Sequence, residues 1–134
     1  MKDYFDQEGK RSTLGITVRA HDIKEKDCGM ISCLRTGGLI PFVRSNAAQA
    51  TLSEAPYNHL YGWSKSVWND RRSVGSSSSG EAGLLSSFCS PIGMGSDIGS
   101  SVRNPAEFNG ITSLKPCSQR FSTSREYSTY ISID

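Results

Sequence analysis

No Cys-x-x-Cys pair occurs among Cys28, Cys33, Cys89 and Cys117, and no apolar leader precedes them. A disulfide framework or a zinc site is therefore not expected, and reduced thiols inside a cell are the simpler reading. Histidine is scarce: His21 and His59 stand apart from the cysteines and from any metalloprotease pattern, so no metal or other cofactor is expected. No apolar run approaches the ~18 residues that would cross a bilayer. Nor is there a basic tract: 15 basic and 13 acidic side chains are interspersed and leave a formal charge of +2, which argues against a nucleic-acid partner. The expected location is intracellular, in the cytoplasm or peripheral to a membrane. Gly-x-Ser-x-Gly is also absent, which removes the nucleophile elbow of histidine-based serine hydrolases.

What the chain does have is glycine and serine. Thirteen Gly in 134 residues, together with abundant Ser, imply many turns and close backbone approaches, and suit a loop-rich α/β enzyme better than a helical bundle. β-Branched residues over 12–18 predict an extended piece. Ile23, Met30, Ile31 and Leu34 fall partly at helical spacing within 20–35, with Gly37-Gly38 as the stop signal. Residues 39–43 read as a buried strand, so that helix and strand alternate as in a layered α/β sheet. Residues 45–73 read as ordered loop and short helix over a core. A short helix is expected over 81–88, an extended segment over 92–98, and a further helix near Pro105, which a first helical turn tolerates. Residues 118–134, with Tyr127 and Tyr130, lack a helical period and read as a polar, frayed tail after a domain covering 1–117. No internal repeat is present.

The chemistry has to come from the serines, because a Ser hydroxyl attacks only when a base removes its proton. A lysine can serve where desolvation keeps it neutral. Tight glycine turns supply the other half of such a site, since they aim several backbone N–H groups at one developing oxyanion. The run Ile98-Gly99-Ser100-Ser101 is a candidate turn of that kind. A phosphate loop competes for the 75–80 segment, which has Gly-x-x-x-x-Gly spacing, but the next residue is Glu81 where a phosphate-binding Lys is required.

Four segments, taken in order, resemble the amidase signature family of Ser-Ser-Lys hydrolases. They are Met1-Lys2-Asp3, then Ser76-Ser77-Ser78-Ser79-Gly80-Glu81, then Gly95-Ser96-Asp97-Ile98-Gly99-Ser100-Ser101-Val102-Arg103-Asn104-Pro105, then Phe108-Asn109-Gly110-Ile111-Thr112-Ser113-Leu114-Lys115-Pro116. Within that family, Arg11-Ser12-Thr13-Leu14-Gly15 and Pro41-Phe42-Val43-Arg44-Ser45-Asn46 are most similar to the animal fatty acid amide hydrolases.

The resemblance implies an α/β fold: part of a mixed-sheet core flanked by helices, incomplete at both ends. It implies hydrolysis of amide or ester bonds, with Ser101 as nucleophile, Ser77 as bridging serine and Lys2 as base. Ile98, Gly99 and Ser100 would form the oxyanion hole, and Ser78, Ser96, Asp97 and Arg103 would support the loops. Thr51 would line the substrate site. The substrate would be a small-molecule amide, lipid amides included, and homo-oligomerisation is left open. Serine stands at glycine positions of the pattern at Ser79, Ser100 and Ser113, which keeps a second reading in view: a relative that binds without hydrolysing.

Overall fold

The structure is a computed structural model that describes residues 1–118 and 120–122. Among the described residues, three α-helices and one two-stranded ribbon carry most of the regular structure: α1 (Gly29–Thr36), β1 (Tyr57–Asn58), β2 (Gly62–Trp63), α2 (Ser79–Ser86) and α3 (Arg103–Asn109). Most of the polar tail expected over 118–134 lies outside the described residues.

Helix α1 begins after extended Cys28 and ends at Gly37, whose N–H donates to the carbonyls of Arg35 and Cys33. Gly38 follows at φ 83°, the left-handed conformation that costs glycine no Cβ clash. The expected stop signal is therefore in place. The helix starts later than the apolar spacing suggests, because Ile23 is instead drawn into an antiparallel bridge with Arg11. Its buried face, Met30 and Ile31, packs with Phe5 and Cys28, and Met1, Tyr4, Leu34 and Met94 close over this cluster. The N-terminal residues thus sit on the core.

Residues 39–43 form no strand. Ile40 is 81% and Phe42 66% exposed, and Pro41 contributes no N–H to a ladder. Their apolar character serves another purpose: together with Leu34, Leu84, Leu85, Ile92 and Met94 they wall an apolar cavity of about 200 Å³. Within the expected extended piece 12–18, Leu14 at φ 51° and Gly15 at φ 69° make a turn, and Thr17–Arg19 continue as a short 3-10 helix. Gly15 is required there because a Cβ would meet the buried side chain of Asn58. Residues 92–98 form no strand either, and within them Met94 and Ser96 bond to Lys2 and Glu81.

Loop geometry accounts for much of the organisation. Asn58 Oδ1 accepts from the Leu60 and Tyr61 N–H groups at 3.0 and 2.8 Å, shaping the β1–β2 turn, while its Nδ2 donates to Ala47 O at 2.8 Å. The ribbon is thereby fixed to residues 46–47. Helices α2 and α3 pack together. Gly75, at φ 78°, lies where a Cβ would overlap the Pro105 backbone, and Ser76 N–H donates to Asn104 Oδ1 at 3.2 Å. Asn109, at the far end of α3, donates to Val74 O at 2.7 Å. The serine loop is thus pressed onto the helix that follows Ser101.

Candidate active site

Lys2 is brought into the interior by backbone pairing. Its N–H donates to Met94 O at 2.9 Å, Asp3 N–H donates to Ser45 O at 3.0 Å, and Ser45 N–H donates to Met1 O at 2.9 Å. Lys2 and Ser45 thereby form a parallel bridge. Asp3 adds a side-chain anchor: its buried carboxylate accepts from Thr13 N–H at 3.0 Å, from the Thr13 hydroxyl, and from Arg44 Nη2 at 2.8 Å. With both neighbours tied, the lysine side chain has no route to solvent, and the residue is fully buried.

The amine meets two hydroxyls. Nζ lies 2.7 Å from Ser77 Oγ and 2.7 Å from Ser96 Oγ, with Ser96 O at 3.3 Å. Burial disfavours the ammonium and lowers the Lys2 pKa from 10.5 to about 7, against the nearby charges of Asp97 and Glu81, which act to raise it. A lysine of ordinary pKa would be almost entirely protonated at neutral pH; this one is poised between its two forms.

Ser77 belongs to the serine loop that opens α2. The Ser76–Ser77 peptide bond is cis. Ser77 O accepts from Ala48 N–H at 3.2 Å, and Ser76 Oγ donates to Ser53 O. Ser78 N–H donates to Ser101 O at 3.0 Å, which joins the loop to the segment carrying Ser101. Gly95 packs so closely on Ser78 that a Cβ there would overlap its hydroxyl.

The turn before Ser101 is built around Asp97, whose side chain is 3% exposed. Oδ1 accepts from Ser100 N–H at 2.8 Å and from Arg103 Nη2 at 2.9 Å. Oδ2 accepts from Val102 N–H at 2.9 Å, Arg103 N–H at 3.2 Å and Arg103 Nε at 3.1 Å. Burial alone would raise the Asp97 pKa, but the Arg103 guanidinium and the three N–H donors outweigh it and hold the carboxyl well below the usual range. The Ser100 N–H is therefore engaged, whereas no acceptor among the described residues takes the N–H groups of Ile98, Gly99 or Ser101. Ile98 is exposed and Ser101 half-buried.

Ser100 adopts φ 92°, a region in which a Cβ is strained by ~1–3 kcal/mol. Replacing Ser100 by Gly is expected to raise unfolding stability by about 1 kcal/mol after the glycine entropy cost, read from urea midpoints. A lower midpoint would show that the serine side chain makes good its own strain.

Thr51 stands somewhat apart. It lies in a left-handed turn, with Ala50 at φ 54° and Thr51 at φ 58°. That turn is tied to the serine loop through Ala48, and no hydrogen bond links Thr51 to Lys2, Ser77 or Ser101 among the described residues. Glu81, Asp3, Arg44 and Ser45 were not marked as site residues by the sequence, yet they hold the lysine. The Lys2-Asp3 adjacency and an acidic residue in the first turn of α2 were the available signals. No group of His, Cys, Asp and Glu among the described residues could hold a metal, and no helix among them is long and apolar enough to cross a membrane.

The site thus holds a buried lysine on one serine and a carboxylate-built turn leading to another, within a partial α/β amidase domain. The Amidase family model matches residues 1–134, and the chain belongs to that family. It is 38% identical to a fatty-acid amide hydrolase 1 from Sus scrofa over 92% of this chain and 21% of that protein. Identity is 37% to an amidase 1 from Gibberella moniliformis, over 91% of this chain and 23% of the relative. It is 36% to a fatty-acid amide hydrolase 2 from Homo sapiens, over 87% of this chain and 22% of the relative. The chain thus spans between 21% and 23% of the length of these three relatives.

Proposed function

We propose that this chain carries the reacting core of an amide hydrolase working through a Ser-Ser-Lys relay and an acyl-enzyme. The observation that carries the reading is the fully buried Lys2 amine, 2.7 Å from Ser77 Oγ and with its pKa lowered to about 7.

In this mechanism neutral Lys2 accepts the Ser77 proton as Ser77 accepts that of Ser101, and Ser101 Oγ bonds to the substrate carbonyl carbon. The carbonyl oxygen gains the negative charge, met by the N–H groups of Ile98, Gly99 and Ser101. Ser100 contributes the conformation of the turn, its own N–H being held by Asp97. As the C–N bond breaks, the Lys2 proton returns through Ser77 to the leaving nitrogen. Water then adds to the acyl ester, the same relay takes its proton, and Ser101 leaves with a proton restored. Ser78, Ser96, Asp97 and Arg103 hold the two loops in register. Thr51, on the turn tied to the serine loop, is assigned to the acyl side of the substrate. The fatty-acyl class rests on fatty-acid amide hydrolases among the relatives.

The test is to treat the folded chain with a fluorophosphonate and locate the adduct by peptide mass spectrometry. An adduct on Ser101 is expected. An unmodified chain, or an adduct on another serine, would reject the relay and favour the binding-only reading.

A further inference from the structure

We propose that Glu81 is the positioning residue of the Lys2 base: from α2 it ties together the two segments that hold the lysine backbone and adds a negative charge to the surroundings of its amine. This rests on the relay proposed above and adds a residue to it. Glu81 is 6% exposed, and both its oxygens are engaged. Oε2 accepts from Met94 N–H at 3.0 Å; Oε1 accepts from the Ser45 hydroxyl and pairs with the Met1 α-amino group at 2.9 Å.

Those partners are the Lys2 neighbours themselves. Met94 supplies the carbonyl that accepts from Lys2 N–H, and Ser45 supplies the bridge on the other side. One carboxylate therefore spans the two tethers of the lysine, as a strut between them. One glycine makes room for it: a Cβ on Gly93 would run into Glu81 Oε2. A second keeps the start of α2 against residues 45–46, since a Cβ on Gly80 would overlap the backbone of Asn46, whose carbonyl accepts from Gly80 N–H at 2.9 Å.

The charge has its own consequence. The Lys2 amine touches the Ser77 and Ser96 hydroxyls, the Tyr4 ring stands at 6.0 Å, and the carboxylates of Asp97 and Glu81 act on it through their charge. Arg103 is committed to Asp97, Arg44 to Asp3, and the Met1 amine to Glu81. After Asp97, Glu81 is the second charge that works against desolvation and favours the protonated lysine.

Two variants separate reach from charge, each read in the full chain as the rate of fluorophosphonate labelling at Ser101 against pH. Glu81→Gln keeps the reach and loses the charge, so the midpoint of the rising limb is expected at lower pH than in the wild type. Glu81→Asp keeps the charge but is one methylene short, so the plateau rate is expected to fall by about 10-fold or more while the midpoint stays. Should one variant lack a thermal transition, the other decides. Wild-type plateau and midpoint in the folded variants would overturn the proposal even if their melting temperatures fell, since a purely structural Glu81 moves only the latter. A wild-type chain unlabelled at Ser101 would instead overturn the relay itself.

Discussion

Replacing Lys2 by Met is expected to abolish amide turnover, a loss of ~10²–10⁴-fold if the lysine acts as the general base, and to flatten the pH dependence of both rate and stability. In the proposed relay the neutral amine is the reactive form, so the rate should rise with pH through a midpoint near the lowered pKa of about 7. Stability follows by linkage. The unfolded lysine titrates near 10.5 and the folded one at about 7. Between those values the unfolded chain binds a proton that the folded chain does not, so unfolding free energy rises with pH across that window. Below it both states are charged and the full cost of burying an ammonium remains. At ~1.4 kcal/mol per pH unit, the gain across the window amounts to several kcal/mol. Urea midpoints at pH 7 and pH 9.5 should therefore differ in the wild type and converge in Lys2→Met. Retained turnover in the variant, or the same pH slope in both proteins, would remove Lys2 from the mechanism. The base is thus expected to reduce stability at the pH where it works.

The site was more legible in the sequence than the packing around it. Lys2, Ser77 and Asp97 stand in short ordered motifs, and glycine turns are local features that neighbouring residues determine. Helices α2 and α3 were readable for the same reason: a serine loop opens one, and Pro105 sits in the first turn of the other. Residues 39–43 were not. An apolar run of five looks the same whether it fills a sheet or lines a cavity wall, and only the placement of Leu84, Leu85 and Met94 opposite it decides. Glu81 escaped because its position next to a Gly-x-x-x-x-Gly loop speaks only against phosphate binding. Its partners, Ser45 and Met94, are 36 and 13 residues away in sequence, and no local pattern signals a carboxylate that joins such distant segments. Ser100 shows the converse: the glycine of the family pattern has been replaced, yet the backbone keeps the left-handed φ that glycine would prefer.

Asp97→Asn is expected to cost the protein about 2–4 kcal/mol of stability and to lower turnover by about 100-fold. Five donors converge on one carboxylate: the N–H groups of Ser100, Val102 and Arg103, and two nitrogens of the Arg103 side chain. Asparagine retains one accepting oxygen and turns an NH₂ toward donors that formerly had an acceptor, leaving the part-buried N–H of Ser100 or Val102 unpaired at ~1–3 kcal/mol. The catalytic loss follows from geometry, since these N–H groups bracket Ser101 and a displacement of ~1 Å in a reacting group can cost ~10²-fold. The sign with pH is the same as the lysine's, because the folded pKa is again the lower one, but the window lies in acid. A carboxyl held below its ordinary value of 3.8 contributes stability that is present above that pH and is lost as pH falls further. Acid unfolding of the wild type should therefore steepen below pH 4, and that component should be missing in the variant. Asp97 also acts to raise the Lys2 pKa, so the residual rate of Asp97→Asn should reach its midpoint at lower pH than the wild type. A variant with wild-type plateau rate would separate the carboxylate-built turn from catalysis and leave Asp97 a folding residue alone.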